Sequence, residues 1–224
     1  MIIHNVQQQS VEWGQLRAGI ATASEFDALV TPDFKIRTGE MPKTYLAKKL
    51  AEKWQGAPLV SNNTFDMDIG TILEGEAIPW FELETGFAVK RVGFITTDDG
   101  LAGCSPDGLL DAHGLEIKCP RIETHMKYLL AGTMPKDYVH QVQGSMFVTG
   151  LDRWCFLSYR RHLPALLLTV ERDVKAQEAL KLALELFRED FEAGWKVICE
   201  RNGGPPKRYA VSQPPKQFVS ETPS

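Results

Sequence analysis

The stretch Ser105-Pro106-Asp107-Gly108-Leu109-Leu110, continued through Asp111-Ala112-His113-Gly114 to Leu115-Glu116-Ile117-Lys118-Cys119, decides how the rest of the chain is read. Residues 111–114 are turn formers between two short apolar runs, so the runs read as the strands of a hairpin. With 111–114 as a four-residue loop, Leu110 pairs with Leu115 and Asp107 with Lys118. Side chains alternate along a strand, and directly opposed residues share a face. Asp107, Glu116 and Lys118 are therefore expected on one face. Leu110, Leu115, Ile117 and Cys119 fall on the other, where a core would take them. Two carboxylates converging across a hairpin make an oxygen site for a hard cation such as Mg²⁺. A neighbouring lysine can orient or deprotonate water, or stabilise a pentavalent phosphate, and metal ions bridging attacking and leaving oxygens serve phosphodiester hydrolysis. On spacing alone, an exposed Asp107–Lys118 salt bridge accounts for the same residues.

Working outward, Ser10 can cap a short helix running to about Gly19, and Thr22-Ala23-Ser24-Glu25 has the form of a capping box opening a helix to about Val30. Residues 31–41 read as a loop. Pro42 suits the first position of a helix to about Trp54. Asn62-Asn63 precede a helical stretch to about Thr85, which Pro79 should kink or interrupt. Phe87 to Thr97 reads as a strand, Leu101 to Leu110 as one or two, and Leu115 to Cys119 as another. Helices follow at about 122–131 and 137–149, the second capped by Asp137 and stopped at Gly150. Arg153–Arg161 and Ala165–Arg172 pair as a hairpin. Asp173 caps a long helix to about Asn202, whose stripe of Ala176, Leu180, Ala183, Leu184, Phe187, Phe191, Trp195 and Ile198 belongs to a core. This is a mixed α/β pattern in one domain, residues 1–202. The Pro- and Ser-rich tail, 203–224, reads as a poorly ordered or partner-docked arm.

The 224 residues, 43% hydrophobic and 24% charged, suffice for a sizeable core and exclude a disordered, collagen-like or coiled-coil chain. No apolar run approaches the ~20 residues of a membrane span. The N-terminus MIIHNVQQQS has no apolar segment of the kind a secretory signal needs, so the four cysteines are expected to be reduced thiols in a cytoplasm. None of them are spaced as a zinc clip. The net charge of −4 is less basic than a simple nucleic-acid-binding module should be. Residues 62–116 hold eleven acids against two bases, and Lys35, Arg37, Lys43, Lys48, Lys49 and Lys53 precede them. Such an arrangement suits a cation beside a polyanion, although sequence blocks also mix in three dimensions.

Five blocks in order add a resemblance. They are Trp13-x-x-x-Arg17-x-Gly19-x-x-Thr22-Ala23-Ser24-Glu25, Ile69-Gly70-x-x-x-Glu74, Cys104-Ser105-Pro106-Asp107-Gly108-Leu109, Leu115-Glu116-Ile117-Lys118-Cys119-Pro120 and Gln141-Val142-Gln143-x-Ser145-Met146. Together they resemble the lambda-type phage exonuclease (YqaJ-like viral recombinase) family of the PD-(D/E)xK nuclease superfamily. The blocks span residues 13–146; the C-terminal third matches only in its strand-strand-helix plan. The resemblance implies a restriction-endonuclease-like α/β core, with a central mixed β-sheet flanked by helices. It implies Mg²⁺ ligation by Asp107, Glu116 and the main-chain carbonyl of Ile117, with Lys118 as the catalytic lysine. Glu74 would support a second ion, with Mn²⁺ able to substitute, and Gln143 would lie near the metals and the nucleophilic water. Glu76, two residues after Glu74, cannot share its helical face. His140 reads as an incidental polar neighbour.

At the other end of the site, Arg17 lies just ahead of the helix start at Thr22-Ala23-Ser24. Free amides, hydroxyls and a guanidinium make a pocket for a phosphate dianion, although Thr22 could simply cap and Arg17 could pair with an acid such as Glu25. The resemblance assigns Arg17 and Ser24 to the 5′-phosphate of the degraded strand, with Ser105 a further candidate. Phe34 with Lys35 and Arg37 could stack on, or split, a terminal base pair. The implied activity is a 5′→3′ exonuclease on double-stranded DNA ends. It would work as a homotrimeric ring with a single-strand annealing protein, in the cytoplasm of a bacterial host and without a membrane. Alternatives are an endonuclease or resolvase of the superfamily, or a non-catalytic DNA-end-binding subunit.

Overall fold

The computed structural model describes residues 1–59 and 65–206, with 65–72 as backbone only. Eight short strands form two four-stranded sheets. In the first, β1 (Ile2–His4), β3 (Phe94–Thr96), β4 (Ala102–Cys104) and β2 (Ala21–Thr22) lie in that order, with β2 and β4 parallel. In the second, β5 (Gly108–Leu109), β6 (Gly114–Lys118), β7 (Arg153–Ser158) and β8 (Leu166–Glu171) lie in chain order, with β6 and β7 parallel. The expected single central sheet is thus divided by hydrogen bonding into two mixed sheets. The three residues Ser105–Asp107 carry the chain from one to the other. Of the expected strand 87–97 only β3 forms, apart from an isolated bridge between Lys90 and Leu109.

The helices are α1 (Val11–Arg17), α2 (Glu40–Gln55), α3 (Phe65–Thr85), α4 (Ile122–Ala131), α5 (Lys136–Thr149) and α6 (Val174–Arg201). Alternation along β7 divides the core around the second sheet. Cys155 and Leu157 join Leu110, Leu115 and Ile117 against Ala77, Ile78 and Phe81 of α3. Trp154 and Phe156 meet Val142 and Met146 of α5 on the opposite face. Gly114 has no room for a side chain, since a Cβ there would lie 2.2 Å from the Trp154 ring. A third cluster packs Phe26 and Val30 with the α6 residues Leu180, Leu184, Phe187 and Phe191. The α6 stripe is core, as its spacing indicated, and Asp173 caps that helix by accepting from the Ala176 N–H at 2.8 Å.

Local chemistry departs from expectation in several places. Thr22 does not cap: residues Ala23–Ala28 form a 3₁₀ turn, and the Thr22 hydroxyl donates to Glu25 Oε2 at 3.0 Å. Glu25 is drawn instead towards Lys48 and Lys49 of α2. Pro79 stays inside a continuous α3, and Pro135 rather than Asp137 occupies the N-cap of α5. The helix start at Asn62-Asn63 and residues 207–224 of the tail lie outside the described residues. Among the described residues no helix is long and apolar enough to cross a membrane.

Candidate active site

The β5–β6 hairpin sets the site. Gly108 opposes Leu115 and Leu109 opposes Gly114, so the chain turns over Asp111-Ala112 alone. The register is two residues from the expected one, and just ahead of β5 the Asp107 N–H donates to the Leu115 carbonyl at 3.1 Å. A shift of two preserves alternation, and Asp107, Glu116 and Lys118 still share one face. The exposed Asp107–Lys118 salt bridge is not formed; Lys118 Nζ pairs with Glu116 Oε1 at 2.6 Å, and the Glu116 side chain is only 2% exposed. The Ile117 N–H donates to Asp107 Oδ2 at 2.5 Å. Glu74, one turn ahead of the α3 residues Ala77 and Ile78, lines the same cleft as Asp107. Glu76 instead faces away and forms a two-pronged ion pair with Arg161.

Crowding of like charge dominates the electrostatics. Burial pushes the Asp107 carboxyl well above the usual carboxylate range, and the charges of Glu116 and Glu74 push it further. Burial also lifts Glu74, with Glu116 adding and Arg91 opposing. For Lys118, burial alone would favour the neutral amine, but Glu116 and Asp107 outweigh it and hold the ammonium above its ordinary range. Lys118 thus places a positive charge, paired to Glu116, among the carboxylates. Glu116 Oε2 is buried without a hydrogen-bond partner. An orphaned carboxylate oxygen beside two further carboxyls fits a divalent cation. Among the described residues no three His, Cys, Asp or Glu side chains already stand as a metal cage. The carboxylates instead hold the Ile117 amide, Lys118 and Gln141.

Gln141 is the residue the sequence reading missed. Its Nε2 donates to Glu116 Oε1 at 2.5 Å. Gln143, chosen in its place, turns towards β8 and α6. It donates to the Glu171 carbonyl at 2.9 Å, and its Oε1 accepts from the Asp173 N–H at 3.0 Å. Residues two apart on a helix face roughly opposite ways. Tyr138, three residues before Gln141, lies under Lys118 with Nζ 4.9 Å from its ring, on the α5 face that meets β6. His140 is buried against Phe34, with both ring nitrogens unpartnered in the protein.

Two residues before Asp107, Ser105 Oγ accepts from Arg17 Nη1 at 3.0 Å and from Trp13 Nε1 at 2.9 Å. Arg17 stacks over Trp13 at 4.3 Å and makes no ion pair among the described residues. Ser24 is exposed on the 3₁₀ turn, and among the described residues no hydrogen bond joins it to Arg17. The loop 31–41 departs from expectation. Phe34 packs into the core instead of standing free, and Arg37 Nε is tied to the Asp27 carbonyl at 2.6 Å. Only Lys35 of that group remains exposed.

The fold and site define a PD-(D/E)xK-type α/β protein. A family description, the YqaJ-like viral recombinase domain, matches residues 12–152, and the chain belongs to that family. The alkaline exonuclease LHK-Exo from Laribacter hongkongensis superposes with a TM-score of 0.76 at 28% identity, covering 86% of this chain and 97% of that one. Its complex with dAMP matches at 30% identity with the same TM-score and coverage. A phage-related exonuclease from Haemophilus somnus 129PT shares the fold at 15% identity, TM-score 0.59, over 80% of this chain and 96% of that one. Comparison with curated proteins gives no match.

Proposed function

We propose that this chain is a Mg²⁺-dependent 5′→3′ exonuclease that degrades one strand of linear duplex DNA from a 5′-phosphorylated end, releasing mononucleotides and leaving a 3′ overhang. The observation that carries this reading is the unpartnered, buried Glu116 Oε2 beside Asp107, Glu74 and Lys118. Two residues before Asp107, the link between the sheets offers Ser105 to Arg17 and Trp13. Asp107, Glu116, the Ile117 carbonyl and Glu74 would hold two Mg²⁺ ions, or Mn²⁺ in their place. Bound there, the ions would supply an activated water and charge neutralisation at the scissile phosphate. Lys118 then donates to a non-bridging oxygen as negative charge grows, while Gln141 fixes the Glu116 carboxylate. Arg17 and Ser105, together with the exposed Ser24, would hold the terminal phosphate.

The family and a relative bound to dAMP, a deoxynucleoside monophosphate, support a nucleotide-releasing reaction. The proposal extends to a homotrimeric ring around the duplex, a single-strand annealing protein as partner, the 203–224 tail as a docking arm, and a bacterial cytoplasm. The test is incubation with linear duplex bearing a 5′-phosphate, linear duplex bearing a 5′-hydroxyl, and closed circular duplex, each with and without Mg²⁺. Fast, Mg²⁺-dependent release of mononucleotides from the first alone is expected. Nicking of the circle would favour an endonuclease and overturn the proposal.

A further inference from the structure

Beside the carboxylates opens a cleft of about 380 Å³, lined among others by Gln7, Gln8, Gln9, Glu74, Arg91 and Asp107. That volume falls at the lower end of the range for small-ligand sites. Its wall is built with some care. Gln8 Nε2 donates to the Val92 carbonyl at 3.0 Å and to the Pro106 carbonyl at 2.9 Å, fastening the N-terminal segment to the link that carries Asp107. Gln9 is held at φ 65, a conformation that a residue other than glycine rarely adopts. The side chains of Gln7 and Gln9 are exposed and make no hydrogen bond among the described residues. Arg91 is also exposed, and among the described residues it forms no ion pair, acting on Glu74 only at a distance. The cleft therefore offers one uncommitted guanidinium and two uncommitted carboxamides next to the acids.

Each group has a matching partner on a DNA strand. A guanidinium binds phosphate in preference to most anions. A carboxamide both donates and accepts, as the edge of a base requires. A strand passing the half-buried carboxylates of Glu74 and Asp107 also needs a cation to offset repulsion. We infer that this cleft is a nucleotide subsite: Arg91 takes a backbone phosphate of the strand being degraded, next to the scissile one, and Gln7 and Gln9 meet the edge of its base. This rests on the reading of Asp107 and Glu74 as the metal side of a nuclease site.

The test measures binding apart from turnover. A fluorescent 5′-phosphorylated DNA end is titrated with the full chain in Ca²⁺, and nucleotide release is measured separately in Mg²⁺. Arg91→Ala should weaken binding about 5–20-fold and lower the salt dependence by about one phosphate contact. Lys90→Ala, which removes the adjacent exposed cation, should cost less than about twofold. In Mg²⁺ the Arg91→Ala loss should appear in KM, with kcat within about threefold. Placing an abasic nucleotide at each of the first four positions in turn should weaken wild-type binding at one position, and a Gln7→Ala, Gln9→Ala double variant should abolish that sensitivity. Arg91→Ala binding within twofold of wild type overturns the inference. So do equal losses at Lys90 and Arg91, which would mean diffuse charge. A wild type that releases nothing in Mg²⁺ or Mn²⁺, yet binds with the Arg91 dependence, sinks the nuclease reading and leaves the subsite standing.

Discussion

Burial and the neighbouring charges of Glu116 and Glu74 all disfavour ionised Asp107, so this residue costs the fold stability. Asparagine keeps an acceptor for the Ile117 N–H and removes the repulsion. Asp107→Asn should therefore melt higher than wild type in EDTA, by roughly 2–4 °C for about 1 kcal/mol, while losing nucleotide release. An unchanged or lower Tm in EDTA would mean the carboxyls are not in conflict. Lys118→Ala should lower kcat by about 10²–10³-fold, the scale for losing one transition-state donor. Single-turnover assays decide, and an unchanged rate would reduce Lys118 to a partner of Glu116. Gln141→Ala should lower kcat with little effect on melting. Gln143→Ala should do the reverse, because it strips partners from the Asp173 and Gln177 side of the core. If both variants keep wild-type kcat, Gln141 has no part in the chemistry. The choice between these two glutamines was not legible in the sequence. Both are polar positions on one helix, and its rotation is fixed by tertiary packing, Val142 and Met146 against Trp154 and Phe156, and Tyr138 against Phe156.

Elements show the same division between what is local and what is not. Alternation and the grouping of Leu110, Leu115 and Ile117 were enough to put Asp107, Glu116 and Lys118 on one face. The pairing itself depended on whether two or four residues make the turn, and Asp111-Ala112-His113-Gly114 is compatible with both. Asp173 and Ser10 cap as written because their partners lie three residues away. Thr22 does not, because Glu25 answers to lysines more than twenty residues on. That network carries a prediction. Burial alone would raise the Glu25 carboxyl, but Lys49 and Lys48 outweigh it and hold it at about 2, against an ordinary 4.5. A depressed folded value stabilises the protein above the unfolded value. That contribution is lost as pH falls from about 4.5 through about 2. Glu25→Gln should lower stability at neutral pH and flatten its decline over that window, as followed by urea unfolding at stepped pH. An equally steep decline in the variant would remove Glu25 from the account.

At the scale of the whole molecule, a ring would reconcile a net charge of −4 with DNA as substrate, since a trapped duplex needs less attraction per subunit. The full chain should sediment as a trimer at micromolar concentration, and a chain ending at Gly203 should test what the tail adds. A full-length monomer would defeat the ring. The division of the strands into two sheets has a consequence of its own. Ser105, against Arg17, directly follows the last strand of the first sheet, and Asp107 directly precedes the first strand of the second. They stand two residues of extended chain apart, roughly 7 Å. A strand gripped by its end at the one and cut at the other would be measured by the backbone between them. The short link 105–107 would then act as a ruler for the stride of the enzyme, one nucleotide at each bite. Lengthening the link by a residue should change the size of the fragments released before it changes how tightly DNA is held.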